Sequence, residues 1–455
     1  MTELIGFSKV HVVGIGGYGM SGLAKLLVQS GVEVTGSDLK PSRAFDALNE
    51  LGVVTWIGHR PESVAAIDLV VASSAVPDSD PELRAASDAG IPVWQRPRLL
   101  AAITDKMPGI GFTGTHGKTT STAMAVAAWR ALGEDPSFMV GGDLPDLNTN
   151  AHLGDRRLFL IEADEAFGTF LSLQLTGLAV TGVEADHLDH YGTLGALEDA
   201  FASVAGEVDG PVVVCIDDAG GRRLAARSGA LTWGTSPDAD WVIDAVEHGP
   251  WQVRFRLTGR GRSLHVEVPK PGLHIARDAA GVLALAAELG NDPAEAASGL
   301  KDFAGVRRRF EVRARVGGVT IVDDYAHHPT EIGAVLSAAR VGPWSKVWAV
   351  FQPHRYSRTA ELASSFGITL AGADNVMITD VYGAGEVPIP GVTGHLVADA
   401  VRNAGGERVV YEPDRRRLAK HLASVVGEGD LVLLMGAGDI TSAADELVAL
   451  LEVAP

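Results

Sequence analysis

A glycine-rich loop in the middle of the chain carries the clearest chemical signal. The segment from Gly111 to Thr120 reads G-F-T-G-T-H-G-K-T-T, after an apolar run and before a segment rich in alanine and threonine. In such a loop the backbone N–H groups cradle phosphates, Lys118 would reach the β- and γ-phosphates, and the Thr119 hydroxyl would bind Mg²⁺. The strict spacing requires glycine at Phe112, so the anchoring glycine lies one residue early. The pattern predicts a nucleoside triphosphate site.

A second glycine loop lies near the N-terminus. Residues Gly14 to Gly19 read G-I-G-G-Y-G, and Asp38 follows about 20 residues later. This is the dinucleotide-binding fingerprint, and by itself it favours an NAD-dependent oxidoreductase. Any nucleoside diphosphate, including a UDP-sugar, could use the same glycines and the same helix N-terminus. A tight strand–helix turn without a ligand is the structural alternative.

Acidic residues and a histidine follow two apolar runs after the phosphate loop. Glu162, Asp164 and Glu165 come directly after one run, and His187 lies in a second acidic block. Carboxylates at the carboxyl end of a parallel strand lie beside a phosphate loop, where they can help to bind the Mg²⁺ that offsets triphosphate charge. Solvated loop acids are the structural alternative.

Three polar blocks mark the C-terminal third. Arg308 lies in an arginine cluster that could clamp a phosphate. The block Asp323–Glu331 begins at the end of an apolar run and contains adjacent histidines, which do not share one helix face and are therefore poor joint metal ligands. The block Phe351–Arg358 brings three basic side chains after another run and could bind a carboxylate or a phosphate.

The elements that must position these residues alternate between short β-branched runs and helical patterns. Such alternation predicts an α/β fold with parallel sheets. Period-two alternation between about Asp238 and Val268 predicts antiparallel strands in the middle of the chain, and hence a mixed sheet there. We predict three αβ domains: a Rossmann-like domain over residues 1–105, a P-loop ATPase domain over 106–312 and a C-terminal Rossmann-like domain over 313–455.

Composition narrows the class of partner. The 455 residues carry a net charge of −19, which disfavours nucleic acid or an anionic membrane as the main partner. The single cysteine, Cys215, excludes an intrachain disulfide and suits a reducing compartment. No signal peptide and no membrane-spanning run is evident, so we expect a cytoplasmic protein without membrane insertion or nucleic acid binding.

The core Gly-Thr-His-Gly-Lys-Thr-Thr from Gly114 to Thr120 resembles the Mur ligase family and the related folylpolyglutamate synthetases. His116 and the blocks around Tyr325 and His354 are similar to the members of the Mur family that add L-alanine. The likeness covers the whole chain in the family's order. It implies an ATP-dependent ligase of peptidoglycan synthesis that uses ATP, Mg²⁺, UDP-N-acetylmuramate and L-alanine. It also implies that the first loop binds a UDP pyrophosphate and not NAD.

The resemblance assigns roles residue by residue. Implied ATP-binding residues are Gly114, Thr115, His116, Gly117, Lys118, Thr119, Thr120, Arg308 and Asp323. Implied metal ligands are Thr119, Glu162 and His187. Implied UDP-sugar contacts are Gly14, Gly16, Gly17, Gly19, Met20, Ser21, Asp38, His59, Ser73 and Ser74. Implied amino-acid contacts are Tyr325, His327, His354, Arg355 and Arg358, and the implied catalytic residues are Lys118, His187, His327 and Arg355.

The chain departs from the family's pattern at one place near the nucleotide. The family's two asparagines before the long middle-domain helix are replaced by Ile275 and Asp278, so we expect different adenine contacts with the phosphate and metal residues retained. The alternatives are a ligase with another acceptor, a folylpolyglutamate-type ligase, which leaves the first domain unexplained, and a nucleotide-binding regulator without catalysis. An NAD-dependent oxidoreductase would leave the phosphate loop unexplained.

Overall fold

Three β-sheets, each combined with helices, make up the protein. The computed structural model describes residues 4–453, apart from the side chains of residues 167, 189 and 453. The three sheets have five, ten and six strands, and helices connect many of the strands in each. The predicted three-part α/β fold class is therefore confirmed. Within the described range, no helix has both the length and the apolar composition required to cross a membrane.

The first sheet is entirely parallel, in the order β3-β2-β1-β4-β5. Its strands are β1 (Lys9–Val13), β2 (Glu33–Asp38), β3 (Val54–Ile57), β4 (Leu69–Ala72) and β5 (Val93–Gln95). Its helices are α1 (Tyr18–Gln29), α2 (Ala44–Glu50), α3 (Pro81–Asp88) and α4 (Arg96–Thr104), with a 3₁₀ helix at Pro61–Ala66. The strand order reverses between β1 and β4, and ligands of such sheets bind at the crevice above this point.

The second sheet has ten strands, in the order β15-β14-β13-β12-β11-β10-β6-β9-β7-β8. Its strands are β6 (Gly109–Thr113), β7 (Ser137–Leu144), β8 (Thr149–His152), β9 (Phe159–Glu162), β10 (Leu175–Val180), β11 (Val212–Cys215), β12 (Leu231–Gly234), β13 (Trp241–His248), β14 (Val253–Gly259) and β15 (Arg262–Val268). Its helices are α5 (Lys118–Ala131), α6 (Leu188–Tyr191), α7 (Leu194–Glu207), α8 (Ala219–Ser228), α9 (Leu273–Glu288) and α10 (Pro293–Ser298), with a 3₁₀ helix at Ala166–Ser172. The β7–β8 pair is antiparallel, so the sheet is mixed.

The third sheet has six strands, in the order β16-β17-β21-β18-β19-β20. Its strands are β16 (Glu311–Val316), β17 (Val319–Asp324), β18 (Val347–Phe351), β19 (Asn375–Ile378), β20 (Val409–Tyr411) and β21 (Leu431–Met435). Its helices are α11 (Pro329–Ala339), α12 (Tyr356–Leu370), α13 (Gly394–Asn403), α14 (Arg415–Ala423) and α15 (Ser442–Val453), with a 3₁₀ helix at Asp439–Thr441. The sequence analysis did not predict β16, whose residues are all partly or fully exposed and pair antiparallel with β17.

The chain divides into two compact units, and the first two sheets belong mainly to one of them. The first unit comprises the residues up to 245 with Phe255–Glu267 and Arg277–Ala304. The second comprises Val246–Arg254, Val268–Ala276 and the chain from 305 onward.

Inside the first unit, helix α1 joins the two sheets. The amine of Lys25, 6% exposed, donates to Asn150 Oδ1 at 2.8 Å and to Thr149 Oγ1 at 3.2 Å, on strand β8. The Asn150 amide in turn donates to the carbonyl of Tyr18 at 2.9 Å. Gly22 faces Met139 of β7 so closely that an added Cβ would lie 3.1 Å from the methionine side chain. The helix that follows the first glycine loop is therefore fixed against the sheet that carries the second.

Candidate functional site

The phosphate loop connects the buried strand β6 to helix α5. Gly117 precedes the helix with a left-handed φ of 82°, and an added Cβ there would stand 2.5 Å from Asp278 Oδ1. No side chain caps this helix, so its first N–H groups are available to an anion. Thr115 fixes the loop to the end of β10, since its N–H donates to Gly182 O at 3.0 Å and its hydroxyl accepts from Glu184 N at 2.8 Å. The loop is thus held in place by neighbouring backbone.

Lys118 lies at the first position of α5 and points back over the loop. Its Nζ donates to Gly114 O at 2.8 Å and to Glu165 Oε1 at 2.8 Å, and Asp164 lies 4.0 Å away. Burial by itself lowers the pKa of Lys118, but the carboxylates of Glu165 and Asp164 outweigh it and raise the pKa above its ordinary value. The amine is therefore a permanent cation at neutral pH, poised beside the place where phosphates would lie.

Thr119 and Glu162 form a pair of hard oxygen donors. The Thr119 hydroxyl lies 3.0 Å from both carboxylate oxygens of Glu162, which ends strand β9. The N–H of Gly141 on β7 donates to Glu162 Oε2 at 2.7 Å, and an added Cβ at Gly141 would stand 2.5 Å from that oxygen. Among the described residues, no lysine or arginine forms an ion pair with Glu162. Hydroxyl and carboxylate oxygens are the ligands that Mg²⁺ prefers, so the pair fits that ion.

His187 lies close to the Lys118–Glu165 pair. Its Nε2 is 3.8 Å from Glu165 Oε1 and 3.9 Å from Asp186 Oδ2, and its φ of 54° is left-handed. Tyr191 extends the group, because its hydroxyl donates to the Glu165 carbonyl at 2.6 Å. The structure thus groups His187 with Glu165, which the sequence placed in the acidic cluster without a role of its own.

The remaining residues of the phosphate loop lie around the same strand ends. His116 Nε2 is 3.4 Å from Glu184 Oε2, and the His116 carbonyl accepts a hydrogen bond from the Thr181 hydroxyl. Thr120 lies in the first turn of α5. The loop and the two acidic blocks that were read separately from the sequence are therefore neighbours in space.

The first glycine loop lies at the carboxyl end of β1. Gly14 N donates to Ser37 O at 2.8 Å, and Gly16 N donates to Asp38 Oδ2 at 2.9 Å. Asp38 is thus already bound to the loop backbone. Gly17 precedes α1 without a side-chain cap, so the first N–H groups of α1 are also available to an anion. Ser73 follows β4 and packs on Gly14, where an added Cβ would stand 3.0 Å from the serine Cβ.

Other implied UDP-sugar contacts differ in accessibility. The side chains of Met20 and Ser21 are buried, and the Ser21 hydroxyl donates to Tyr18 O at 3.1 Å, so the two residues present only backbone to a ligand. Ser74 is exposed. His59 Nδ1 lies 3.3 Å from Asp80 Oδ2, at the start of α3.

A possible metal group around His59 is instead part of the fold. Ligand atoms of His59, Asp80 and Glu82 lie within 4.8 Å of one another. However, both oxygens of Glu82 are already used, because they accept from Trp56 Nε1 at 3.2 Å, from Arg60 N at 2.7 Å and from the Ser37 hydroxyl. Glu82 therefore organises the loop after β3.

In the second unit, two histidines lie beside each other after strands β17 and β18, which strand β21 separates in the sheet. The rings of His327, after β17, and His354, after β18, are 5.7 Å apart. Burial lowers the pKa of His327, and burial together with the nearby His327, Arg358 and Arg355 lowers the pKa of His354 to about 4. Both imidazoles are therefore neutral at pH 7. The Tyr325 ring lies 5.4 Å from the His327 ring.

Arg308 and Asp323 meet at the same edge of the third sheet. Arg308 Nη2 donates to Gly436 O at 2.7 Å, its Nε is 3.8 Å from Asp323 Oδ2, and its guanidinium covers the Tyr325 ring at 4.9 Å. Asp323 also accepts from Thr441. The residues assigned to ATP and to the amino acid thus adjoin within this unit.

Arg355 has a partner that the sequence reading did not foresee. Its Nε donates to Glu386 Oε1 at 2.6 Å, and Glu386 also accepts from Ser357 N at 3.0 Å. Arg358 follows in the first turn of α12. His187, Arg308 and Arg355 all have left-handed φ values, at 54°, 60° and 69°. Such backbone is uncommon outside glycine and tends to occur at functional sites.

The first sheet is parallel and has a glycine loop at the point where its strand order reverses. The second sheet carries a phosphate loop and acidic residues at its strand ends. Together these features define a P-loop nucleotide-binding protein with several α/β sheets. Three family models match consecutive parts of the chain: "Mur ligase family, catalytic domain" over residues 9–107, "Mur ligase middle domain" over 112–286 and "Mur ligase, glutamate ligase domain" over 308–438. The chain belongs to the Mur ligase family, as the resemblance in its sequence indicated.

Individual relatives show which members of the Mur ligase family this chain is similar to. The UDP-N-acetylmuramate–L-alanine ligase of Acidothermus cellulolyticus is 43% identical, over 94% of this chain and 92% of that protein. The protein of the same name from Renibacterium salmoninarum is 42% identical, over 97% of this chain and 96% of the relative. The crystal structure of UDP-N-acetylmuramate–alanine ligase from Thermotoga maritima is similar with a TM-score of 0.85 at 29% identity, covering 97% of this chain and 98% of that one.

Proposed function

We propose that this protein is an ATP-dependent ligase that joins L-alanine to the lactyl carboxylate of UDP-N-acetylmuramate in peptidoglycan precursor synthesis. The observation that carries the proposal is the grouping of Lys118, Thr119 and Glu162 at the phosphate loop of a chain that matches ligases of that name over nearly its whole length. Residues 1–105 would bind the UDP-sugar, 106–312 ATP and 313–455 the amino acid.

The first step would activate the carboxylate. An oxygen of the lactyl carboxylate attacks the γ-phosphorus of ATP, the bond to the β–γ bridging oxygen breaks, and an acyl phosphate and ADP form. Lys118, a permanent cation, would offset charge on the transferring phosphoryl group. Thr119, Glu162 and His187 are the residues proposed to hold Mg²⁺, which when bound offsets the charge of the triphosphate. Activation is required because a carboxylate is a poor electrophile.

The second step would form the amide. The L-alanine amine attacks the acyl carbon, and phosphate leaves with the electrons of the acyl C–O bond. The ammonium must first lose a proton, and the imidazoles of His327 and His354 lie close to the proposed amino-acid position in unprotonated form, because their pKa values are lowered. Arg355 and Arg358 are proposed to hold the amino-acid carboxylate. The Arg355 guanidinium would then have to bind both that carboxylate and Glu386.

The test is phosphate release from Mg-ATP in the presence of UDP-N-acetylmuramate, with and without L-alanine, with the amide product identified by mass spectrometry. We expect release that needs both substrates and disappears in Lys118→Ala. The matched control is Lys301→Ala, an exposed lysine in the same unit, which should behave as wild type. Parallel reactions with glycine and L-serine define the amino-acid preference. Binding of both nucleotides without release for any amino acid would refute the proposal and favour a non-catalytic regulator.

A further inference from the structure

Arg96 covers the first turn of helix α1, although it belongs to a different helix. It is the first residue of α4, and its guanidinium packs against Gly19. A Cβ added at Gly19 would stand 2.9 Å from Arg96 Cζ and 3.1 Å from its Nε. A side chain at position 19 would therefore push the guanidinium away. The glycine at this position is needed for Arg96 as well as for the tight turn.

Arg96 has no counter-charge among the described residues. Its Nε is buried and makes no hydrogen bond, and no carboxylate in the described range forms an ion pair with it. Nearby arginines are better satisfied: Arg98 covers the Trp94 ring at 4.6 Å, and Arg60 covers the Trp56 ring at 5.1 Å. The guanidinium also lies beside the N-terminus of α1, which carries partial positive charge. Two like charges that face each other are unfavourable until an anion lies between them.

The sheet order shows where that anion would lie. Helix α1 follows β1, α4 follows β5, and β4 separates these two strands. Both helices therefore begin at the carboxyl edge of the sheet, on either side of the crevice between β1 and β4. Ser73, at the end of β4, forms the floor of this crevice against Gly14. Arg96, at the start of α4, meets the last glycine of the loop, Gly19, at this edge of the sheet.

We propose that Arg96 is a phosphate-binding residue of the UDP-sugar site, which holds the diphosphate against the N-terminus of α1. The planar guanidinium carries several N–H donors in a fixed fork, and this geometry suits two phosphate oxygens. The ligand class is a nucleoside diphosphate. Arg96 is a binding residue and does not touch the reacting carboxylate. This inference rests on the proposed function, which supplies a substrate that carries a diphosphate.

The experiment compares the binding of UDP and uridine to the full-length protein, by calorimetry for UDP and by ligand-observed NMR for the weaker uridine. Arg96→Ala should weaken UDP binding by about 10- to 100-fold, the range for a lost hydrogen bond to a charged group, and leave uridine binding unchanged. In the ligase assay, KM for UDP-N-acetylmuramate should rise while kcat and the KM for ATP stay close to wild type. Arg84→Ala, an exposed arginine on α3, is the matched control.

A second variant guards against a merely structural effect. Gly19→Ala keeps the arginine and favours the helix, yet its Cβ should displace the guanidinium and weaken UDP binding. The double variant, Gly19→Ala with Arg96→Ala, should bind UDP no more weakly than Arg96→Ala alone. Arg96→Ala binding UDP within about twofold of wild type, or losing UDP and uridine alike, would overturn the inference and leave the proposed function standing. A wild-type protein that binds neither UDP nor UDP-N-acetylmuramate would defeat both.

Discussion

Replacing Lys118 by methionine should destabilise the first unit through the carboxylate that the change leaves behind. The Glu165 side chain is 1% exposed, and its Oε1 lies 2.8 Å from Lys118 Nζ. Methionine keeps the length of the side chain and removes its charge, so Glu165 would stay buried without an ammonium. Removing one partner of a buried ion pair costs about 3–5 kcal/mol. Because Lys118 is itself 13% exposed, we expect a loss of about 3 kcal/mol in the free energy of unfolding.

Replacing Glu165 instead of Lys118 should lower the free energy of unfolding by less. In Glu165→Gln, the Lys118 amine still has the Gly114 carbonyl at 2.8 Å and the Asp164 carboxylate at 4.0 Å, so its charge stays partly compensated. We expect a loss of about 1–2 kcal/mol. The double variant removes both charges, and its loss should fall short of the sum of the single losses by at least about 1 kcal/mol.

The pH dependence follows from the buried carboxyl. Burial raises the pKa of Glu165, and the nearby Asp164 raises it further, whereas Lys118 opposes the shift. Without Lys118 the pKa of Glu165 rises more, so the folded state keeps a proton that the unfolded state releases above its ordinary pKa of 4.5. Stability of Lys118→Met should therefore fall as pH rises above 4.5, and its deficit against wild type should be larger at pH 8 than at pH 5.

Differential scanning calorimetry is the assay, because the two compact units can unfold in separate transitions. The transition of the first unit is followed at both pH values, with Lys301→Met as the exposed control. A loss below about 1 kcal/mol for Lys118→Met, or an equal deficit at pH 5 and pH 8, would refute the described burial of Glu165 against Lys118.

Three further changes test other parts of the structure. Burial by itself raises the pKa of Glu82, but hydrogen bonds from His11, Ser37 and the Arg60 backbone outweigh it and lower the pKa to about 2. Glu82→Gln should lower the free energy of unfolding by about 2 kcal/mol at pH 7 and by much less near pH 2. The reason is that the stabilisation by the wild-type carboxylate is present above pH 4.5 and is lost as the pH falls through 2. Equal urea midpoints for variant and wild type at pH 7 would contradict this prediction. Asp278→Asn should lower the KM for ATP about fivefold in the phosphate-release assay, since it removes a negative charge beside Gly117, and a higher KM would mean that the carboxylate instead supports the loop. Glu162→Gln should raise the Mg²⁺ concentration for half-maximal activity by roughly tenfold at saturating ATP, and an unchanged Mg²⁺ titration would remove Glu162 from the metal site.

The residue order along the chain determined the features that depend on local backbone. Both glycine loops could be located from the sequence. Each loop needs a strand before it, a helix after it, and glycines where φ is positive or another group packs closely. These signals all lie within about ten residues of the chain. The resemblance to the Mur ligases rests on the same short blocks. The period-two segments were recognised only where one face is buried. The edge strand β16 and the β7–β8 pair therefore went unpredicted.

Only the tertiary structure decided which distant residues became partners. Gly141 supports Glu162 because β7 lies next to β9, and Arg96 covers Gly19 because β5 lies beyond β4 at the sheet edge. The partnership of Arg355 with Glu386 likewise joins the start of one helix to a later loop. Strand order is set by long-range burial of apolar faces, and side-chain ion pairs follow that order. The sequence could therefore name the groups that do chemistry. It could not name the charges that hold them, nor show that the described residues leave the Arg96 Nε without a hydrogen bond.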